Sequence, residues 1–264
     1  MLNYPNIDPV IVALGPVKIH WYGMMYLLGF AAVWLLGKER AKRPYSPISP
    51  EALEDLVYFG ALGVILGGRI GYILFYHFGL FLENPLVLFK IWQGGMSFHG
   101  GMLGVFVAMH FFGKKHHCSM LQLTDIIAPL CPIGLGLGRL GNFINGELWG
   151  RTTDVAWGMV FPTGGALPRH PSQLYEAGLE GILLFAILWI YTQKQRPIAA
   201  PTGLVLFVYG CFRFFVEFYR MPDAHLGYLA LDWVTMGQIL SLPMIVIGAG
   251  MFGWAHKKQS IRQG

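Results

Sequence analysis

The sequence predicts an all-α integral membrane protein of about seven transmembrane helices. Three observations predict it. The chain of 264 residues is 55% hydrophobic and 15% aromatic but only 12% charged, about half the ~25% charge of a soluble domain. Its apolar residues gather in runs of about 20, the length a helix needs to cross a hydrocarbon core of about 30 Å. Its lysines and arginines flank those runs instead of forming a stripe, so the pI of 9.1 and net charge of +5 do not mark a nucleic-acid binder.

The apolar runs lie at about 18–37, 56–77, 95–113, 124–144, 174–192, 202–220 and 235–255, and are taken as one transmembrane domain over residues 1–264. Each reads as a helix, because lipid offers no partner to an open backbone N–H or C=O. The connectors carry the breakers Arg43-Pro44-Tyr45-Ser46-Pro47, Glu83-Asn84-Pro85, Arg196-Pro197 and Met221-Pro222-Asp223. The N-terminus has no basic segment followed by a small-residue cleavage site, so the first span is expected to act as its own insertion signal. Cys118, Cys131 and Cys211 fit no CxxC spacing.

Orientation follows from the flanking cations. Lys38, Arg40, Lys42, Arg43, Lys114, Lys115, Lys194, Arg196, Lys257, Lys258 and Arg262 fall on one side, against Lys18, Lys90, Arg151, Arg169 and Arg220 on the other. The richer side is the cytoplasm, which places the N-terminus outside and the C-terminus inside. The longest connector, 145–173, then lies outside. It holds Glu147, Trp149, Arg151, Trp157, Arg169 and His170. It is either an arm lying on the membrane surface or a plain loop with interfacial tryptophans.

A charge inside a span costs at least a few kcal/mol, so such residues are functional candidates. Arg139 is expected about 7 Å from the outer end of span four, and Arg213 about 10 Å from that end of span six. His99, His20, Tyr22, Arg69, Glu176 and Glu180 fall in the same outer half, whereas Asp125 marks a helix start at the inner interface. Tyr209, Arg213, Glu217 and Arg220 form one stripe on span six, and Arg139 and Asn142 share a face of span four. Structural readings stand beside the functional one. Arg213 and Glu217 can be a pair that only lowers the cost of both charges. Arg139 can snorkel to headgroups, and Arg69 sits among glycines that suit tight helix packing. Guanidinium groups bind phosphate bidentately, so two or three of them in the outer leaflet point to an anionic ligand, a phospholipid headgroup first.

Gly136-Leu137-Gly138-Arg139-Leu140-Gly141 matches G-x-G-x-x-G. Without a preceding strand it is no dinucleotide fingerprint. Close helix packing explains it, as it does the pairs Gly63–Gly67 and Gly100–Gly104. His116-His117 lacks companion ligands, and no metal or other cofactor is expected.

Three stretches resemble the signatures of the bacterial phosphatidylglycerol–prolipoprotein diacylglyceryl transferases. They run from Gly94 to Gly101 (GGMSFHGG), from Gly138 to Arg151 (GRLGNFINGELWGR) and from Arg169 to Glu176 (RHPSQLYE). His20-Trp21-Tyr22-Gly23 and the run from Phe212-Arg213 to Glu217-Phe218 are similar too, so the resemblance covers essentially the whole chain. It implies a seven-span enzyme of the bacterial inner membrane with its active site facing the periplasm. Such an enzyme moves the diacylglyceryl group of phosphatidylglycerol to the lipobox cysteine of a prolipoprotein, releasing glycerol 1-phosphate. The partners implied are phosphatidylglycerol, the lipobox segment and membrane lipids, with no nucleic acid. The resemblance makes Arg139, Arg213 and His99 catalytic, with His99 either the base for the thiol or a positioning group. It makes Arg139, Asn142, Tyr22, Glu217, Glu147 and Gly150 phosphatidylglycerol-binding, with His20, Arg69 and Tyr209 in support. A transporter for an anionic solute or lipid is the competing reading. Against it, the charges lie near one face and no inverted repeat is visible.

Overall fold

The computed structural model of the chain describes residues 2–5, 7–15, 17–90, 94–222, 227–231 and 233–263. It is mostly helical, and each of the seven apolar runs overlaps a helical segment; among the described residues three helices, or four counting one bent pair, are long and apolar enough to cross a membrane. Helix α2 (Pro50–Tyr76), the helical series Ser172–Tyr191 and the stretch Met236–Ile261 are long and apolar enough to cross a membrane singly. The pair α5 (Met120–Ile127) and α6 (Cys131–Ile144) is bent by 53° and passes the same test as a unit. Outward side chains on these helices are apolar, as at Phe75, Ile182 and Val246. Several of the fully buried ones are polar, as at Gln173, Glu176 and Glu180. That inversion suits a surface solvated by lipid.

The chain divides into two compact units, Met1–Val33 with Ile127–Gly264, and Trp34–Ile126. In the second unit, α2 starts where Ser49 accepts a hydrogen bond from the Ala52 N–H and Pro50 occupies the first turn. It packs along α4 (Phe98–His116). Gly63 meets the backbone of Gly104 and Gly67 that of Gly100, so a methyl group at any of the four would strike backbone. This is the seam those spacings predict. Ser97 caps α4 through the Gly100 N–H, and the left-handed His117 (φ 55°) ends it. Between α2 and α4 lie the short α3 (Phe78–Glu83) and a 3₁₀ turn, Pro85–Phe89.

In the first unit, strands β1 (Val10–Leu14) and β2 (Val17–His20) form an antiparallel hairpin with Val10 opposite His20. Helix α1 (Trp21–Ala41) therefore starts at Trp21, not within the expected 18–20, and His20 ends a strand. The bend between α5 and α6 falls at Ala128-Pro129-Leu130, where Pro129 has no N–H to give and disfavours helix before it. Run five is a helix, α7 (Ser172–Glu176), that widens into a π-helical stretch, Ala177–Leu183, and tightens again as α8 (Leu184–Tyr191). Helix α9 (Ala200–Val216) stops four residues short of the expected 220, so Arg213 stands in its last turn. Turns at 217–219 and the coming Pro222 account for the stop. Helix α10 (Met236–Gln263) packs along α9, with Gly203 against Gly248.

The 145–173 connector is folded. Met159 and Arg169 exchange backbone hydrogen bonds, and Gly150 N–H donates to His170 O. Phe143, Met159 and Phe161 make a small core that Tyr4, Trp149 and Leu174 complete.

Candidate functional site

The site is assembled around Glu176, which is fully buried. Its Oε2 pairs with Arg139 Nε from α6. Its Oε1 accepts from Arg220 Nη1 at 2.7 Å and lies 3.6 Å from Arg213 Nη1 of α9. One carboxylate thus faces guanidinium groups from three places in the chain. A buried charge needs such partners, because desolvation costs several kcal/mol per ion. Glu217 forms a second node. It pairs with Arg213, lies 3.3 Å from Arg220 Nε, and accepts a 2.7 Å hydrogen bond from Thr235 Oγ1. Gly237 has no side chain at the spot the Glu217 carboxylate occupies; a Cβ there would fall on it. Glu180 lies one turn beyond Glu176 and is equally buried, yet Arg139 Nε approaches it only to 4.0 Å. Tyr209, one turn before Arg213, lies within electrostatic reach of Glu180, Arg139 and Arg213.

Close packing sets this geometry. Gly136 and Gly181 meet at their Cα atoms, which brings α6 against the π-helical stretch. That contact is the structural use of the first glycine in the G-x-G-x-x-G match. Gly141, the last, receives the ring of Tyr22, where a methyl group would collide. Tyr22 thereby stands within electrostatic range of both Arg139 and Glu147. Its hydroxyl lies 3.4 Å from that of Tyr26. At the end of α6, Glu147 Oε1 accepts from Asn142 Nδ2 at 2.9 Å and Asn145 Nδ2 at 3.1 Å. Gln173 Nε2 donates to the Glu147 carbonyl at 2.6 Å. The helix ends at Ile144, and Gly146 takes a positive φ of 66° that turns the chain back toward it.

Gly150 is wedged between the carbonyls of Tyr219 and His170, leaving no room for a Cβ. Beside it, Arg151 donates to the Arg220 carbonyl at 2.9 Å and the Glu217 carbonyl at 3.1 Å. The connector is thereby tied to the turn that carries both cluster residues. Arg169 lies 3.9 Å over the Trp149 ring.

Arg69, His99 and His20 have other surroundings. Arg69 is buried in the second unit and donates to the carbonyls of Leu88, Gly94, Gly95, Val87 and Lys90 at 2.5–3.3 Å. Its guanidinium also lies 5.9 Å over the Tyr72 ring, and through the five carbonyls it acts as a clamp on the segment before α4. His99, in the first turn of α4 in the same unit, is exposed and stands edge-on to Phe98. His20 is exposed at the end of β2.

Among the described residues, sequence reasoning left three cluster members without a role. Glu176 and Glu180 stand there only among the ionisable residues of the outer half, and Arg220 as the end of the span-six stripe and an outer-side cation. The available signal was the i, i+4 spacing of two acids inside an apolar run. Thr235 and Gly237 gave none.

These features define a helical membrane protein with a buried arginine–carboxylate site at the end of its helices. A family model described as prolipoprotein diacylglyceryl transferase matches residues 9–254. A phosphatidylglycerol–prolipoprotein diacylglyceryl transferase of Pseudomonas paraeruginosa is 58% identical over 260 residues, covering 98% of both chains. One from a Marinomonas species is 56% identical over 252 residues, 95% of this chain and 94% of that one. One from Aliivibrio fischeri is 58% identical over 258 residues, 97% and 90%. The chain belongs to the prolipoprotein diacylglyceryl transferase family, and it is an enzyme of the transferase class.

Proposed function

We propose that this enzyme transfers the diacylglyceryl group of phosphatidylglycerol to the lipobox cysteine thiol of a prolipoprotein, at the periplasmic face of the bacterial cytoplasmic membrane. The relatives named for that reaction support the substrates. One structural observation carries the site. The side chains of Arg139 and Arg213 keep 21% and 16% of their surface accessible, whereas Glu176 and Glu180 keep none. An incoming phosphate meets guanidinium first and carboxylate behind it.

In the reaction the thiol gives up its proton, sulfur bonds to the glycerol carbon, and the bond from that carbon to the phosphate oxygen breaks. The electron pair leaves with glycerol 1-phosphate. Arg139 and Arg213 stabilise the charge growing on that phosphate, in a site where low polarity strengthens the effect. Glu217 and Glu176 hold the two guanidinium groups in place. Asn142, set by Glu147, and Tyr22, set by Gly141, line the approach to Arg139. Gly150 keeps the connector close. His99 keeps two roles: base for the thiol, whose ordinary pKa near 8.5 leaves little thiolate at neutral pH, or a group that positions a substrate hydroxyl by hydrogen bonding. Arg69 supports by fixing the segment that leads to His99. Seven spans, with the N-terminus outside and the C-terminus in the cytoplasm, complete the reading.

Arg139→Ala and Arg213→Ala, assayed as purified folded proteins with phosphatidylglycerol and a cysteine-containing lipobox peptide, should each lose about 10²-fold or more in rate. Transfer near the wild-type rate in either variant would refute the phosphate-binding role.

A further inference from the structure

The cluster holds Arg139, Arg213 and Arg220 against Glu176, Glu180 and Glu217, three charges of each sign. With all six ionised it carries no net charge before any substrate arrives. A phosphodiester adds one negative charge, and an uncompensated charge in a buried site is costly. The balance is restored most cheaply by a proton on the carboxylate with the weakest support.

That carboxylate is identifiable. Glu176 has Arg139, Arg213 and Arg220, and Glu217 has Arg213, Arg220 and the Thr235 hydroxyl. Among the described residues, neither oxygen of Glu180 has a hydrogen-bond donor, although its side chain is fully buried. The charged and titratable groups facing it are Glu176 from its own helical series, Arg139 from α6, Arg213 and Tyr209 from α9, and Arg220 from the turn after α9. A bound phosphate competes for those arginines and leaves Glu180 with less still. The π-helical stretch that carries it is a feature common at functional sites.

We propose that Glu180 is the proton-binding residue of this site, taking one proton from solvent as the phosphodiester of phosphatidylglycerol enters the arginine cluster. This rests on the lipid-binding reading above. By linkage, lipid affinity then falls as pH rises, by up to about tenfold per pH unit where Glu180 is ionised in the free enzyme.

The experiment is calorimetric titration of the purified protein, in a neutral detergent, with micelles containing phosphatidylglycerol, in buffers of differing ionisation enthalpy. Wild type should take up close to one proton per lipid bound. Glu180→Gln should bind with little or no uptake, and its affinity should no longer depend on pH. Infrared difference spectra of the wild type should show the carbonyl band of a protonated carboxylic acid on lipid addition, a readout that does not require the variant to fold. Lipid binding and peptide modification without proton uptake, or uptake that persists in Glu180→Gln, overturns this inference and leaves the proposed reaction standing. Failure of phosphatidylglycerol to bind, with no transfer to peptide, overturns both.

Discussion

At the residue scale, Glu176 is the member of the cluster that most others depend on. It has no exposed surface and faces Arg139, Arg213 and Arg220. Glu176→Gln leaves three guanidinium groups without their shared carboxylate. It should cost about 3–5 kcal/mol, the scale for breaking a buried pair, measured as a drop in unfolding midpoint in detergent. A midpoint within a degree or two of wild type would show that Glu217 alone suffices. Arg139 and Arg213 were legible in the sequence because a charge in an apolar run stands out. Glu217 was legible as the i, i+4 partner of Arg213; the role of Glu176 was not, because the partners that give it its place lie in other runs. His170 contributes a pH dependence outside the helices. Burial lowers its pKa below the usual 6.5, against a smaller raising effect from Asp154. Its folded form is held neutral, so its contribution is full above about pH 6.5 and is lost as pH falls below that value. Protection from hydrogen exchange across 147–173, after correction for the intrinsic slowing of exchange in acid, should fall on acidification through that range, and His170→Gln should remove that part of the change.

At the scale of elements, the site depends on how closely helices approach. Gly181 touches Gly136 across the contact between the π-helical stretch and α6, while Gly178, one turn earlier, has nothing near its Cβ position. Gly181→Ala should push Arg139 away from Glu176 and lower activity about tenfold or more, at an overpacking cost of about 1–3 kcal/mol. Gly178→Ala should keep wild-type activity. Equal behaviour of the two variants would mean that the approach of α6 does not position the arginine. The apolar runs and the glycine seam of α2 with α4 were readable, since both follow from period and composition. The widening at Ala177–Leu183 was not, because no residue type announces a π turn. The hairpin before α1 and the early stop of α9 are short-range departures that an apolar run conceals.

At the scale of the whole molecule, composition alone identified the membrane as solvent: 12% charge in a 55% hydrophobic chain leaves no other surface for the helices. Among the described residues, three arginines and three glutamates gather in one buried group, with Arg69 buried apart from them in the second unit. Such a group is costly to build and therefore calls for a function, and the family to which the chain belongs supplies one. The measurement that tests this most directly is reconstitution of the purified enzyme with phosphatidylglycerol and a lipobox peptide bearing one cysteine, read by mass spectrometry. The account predicts a diacylglyceryl adduct on the thiol and an equal amount of released glycerol phosphate, both absent when the peptide cysteine is replaced by serine. Folded protein that binds phosphatidylglycerol but yields neither product, or moves the lipid or its headgroup across vesicles unchanged, would contradict it.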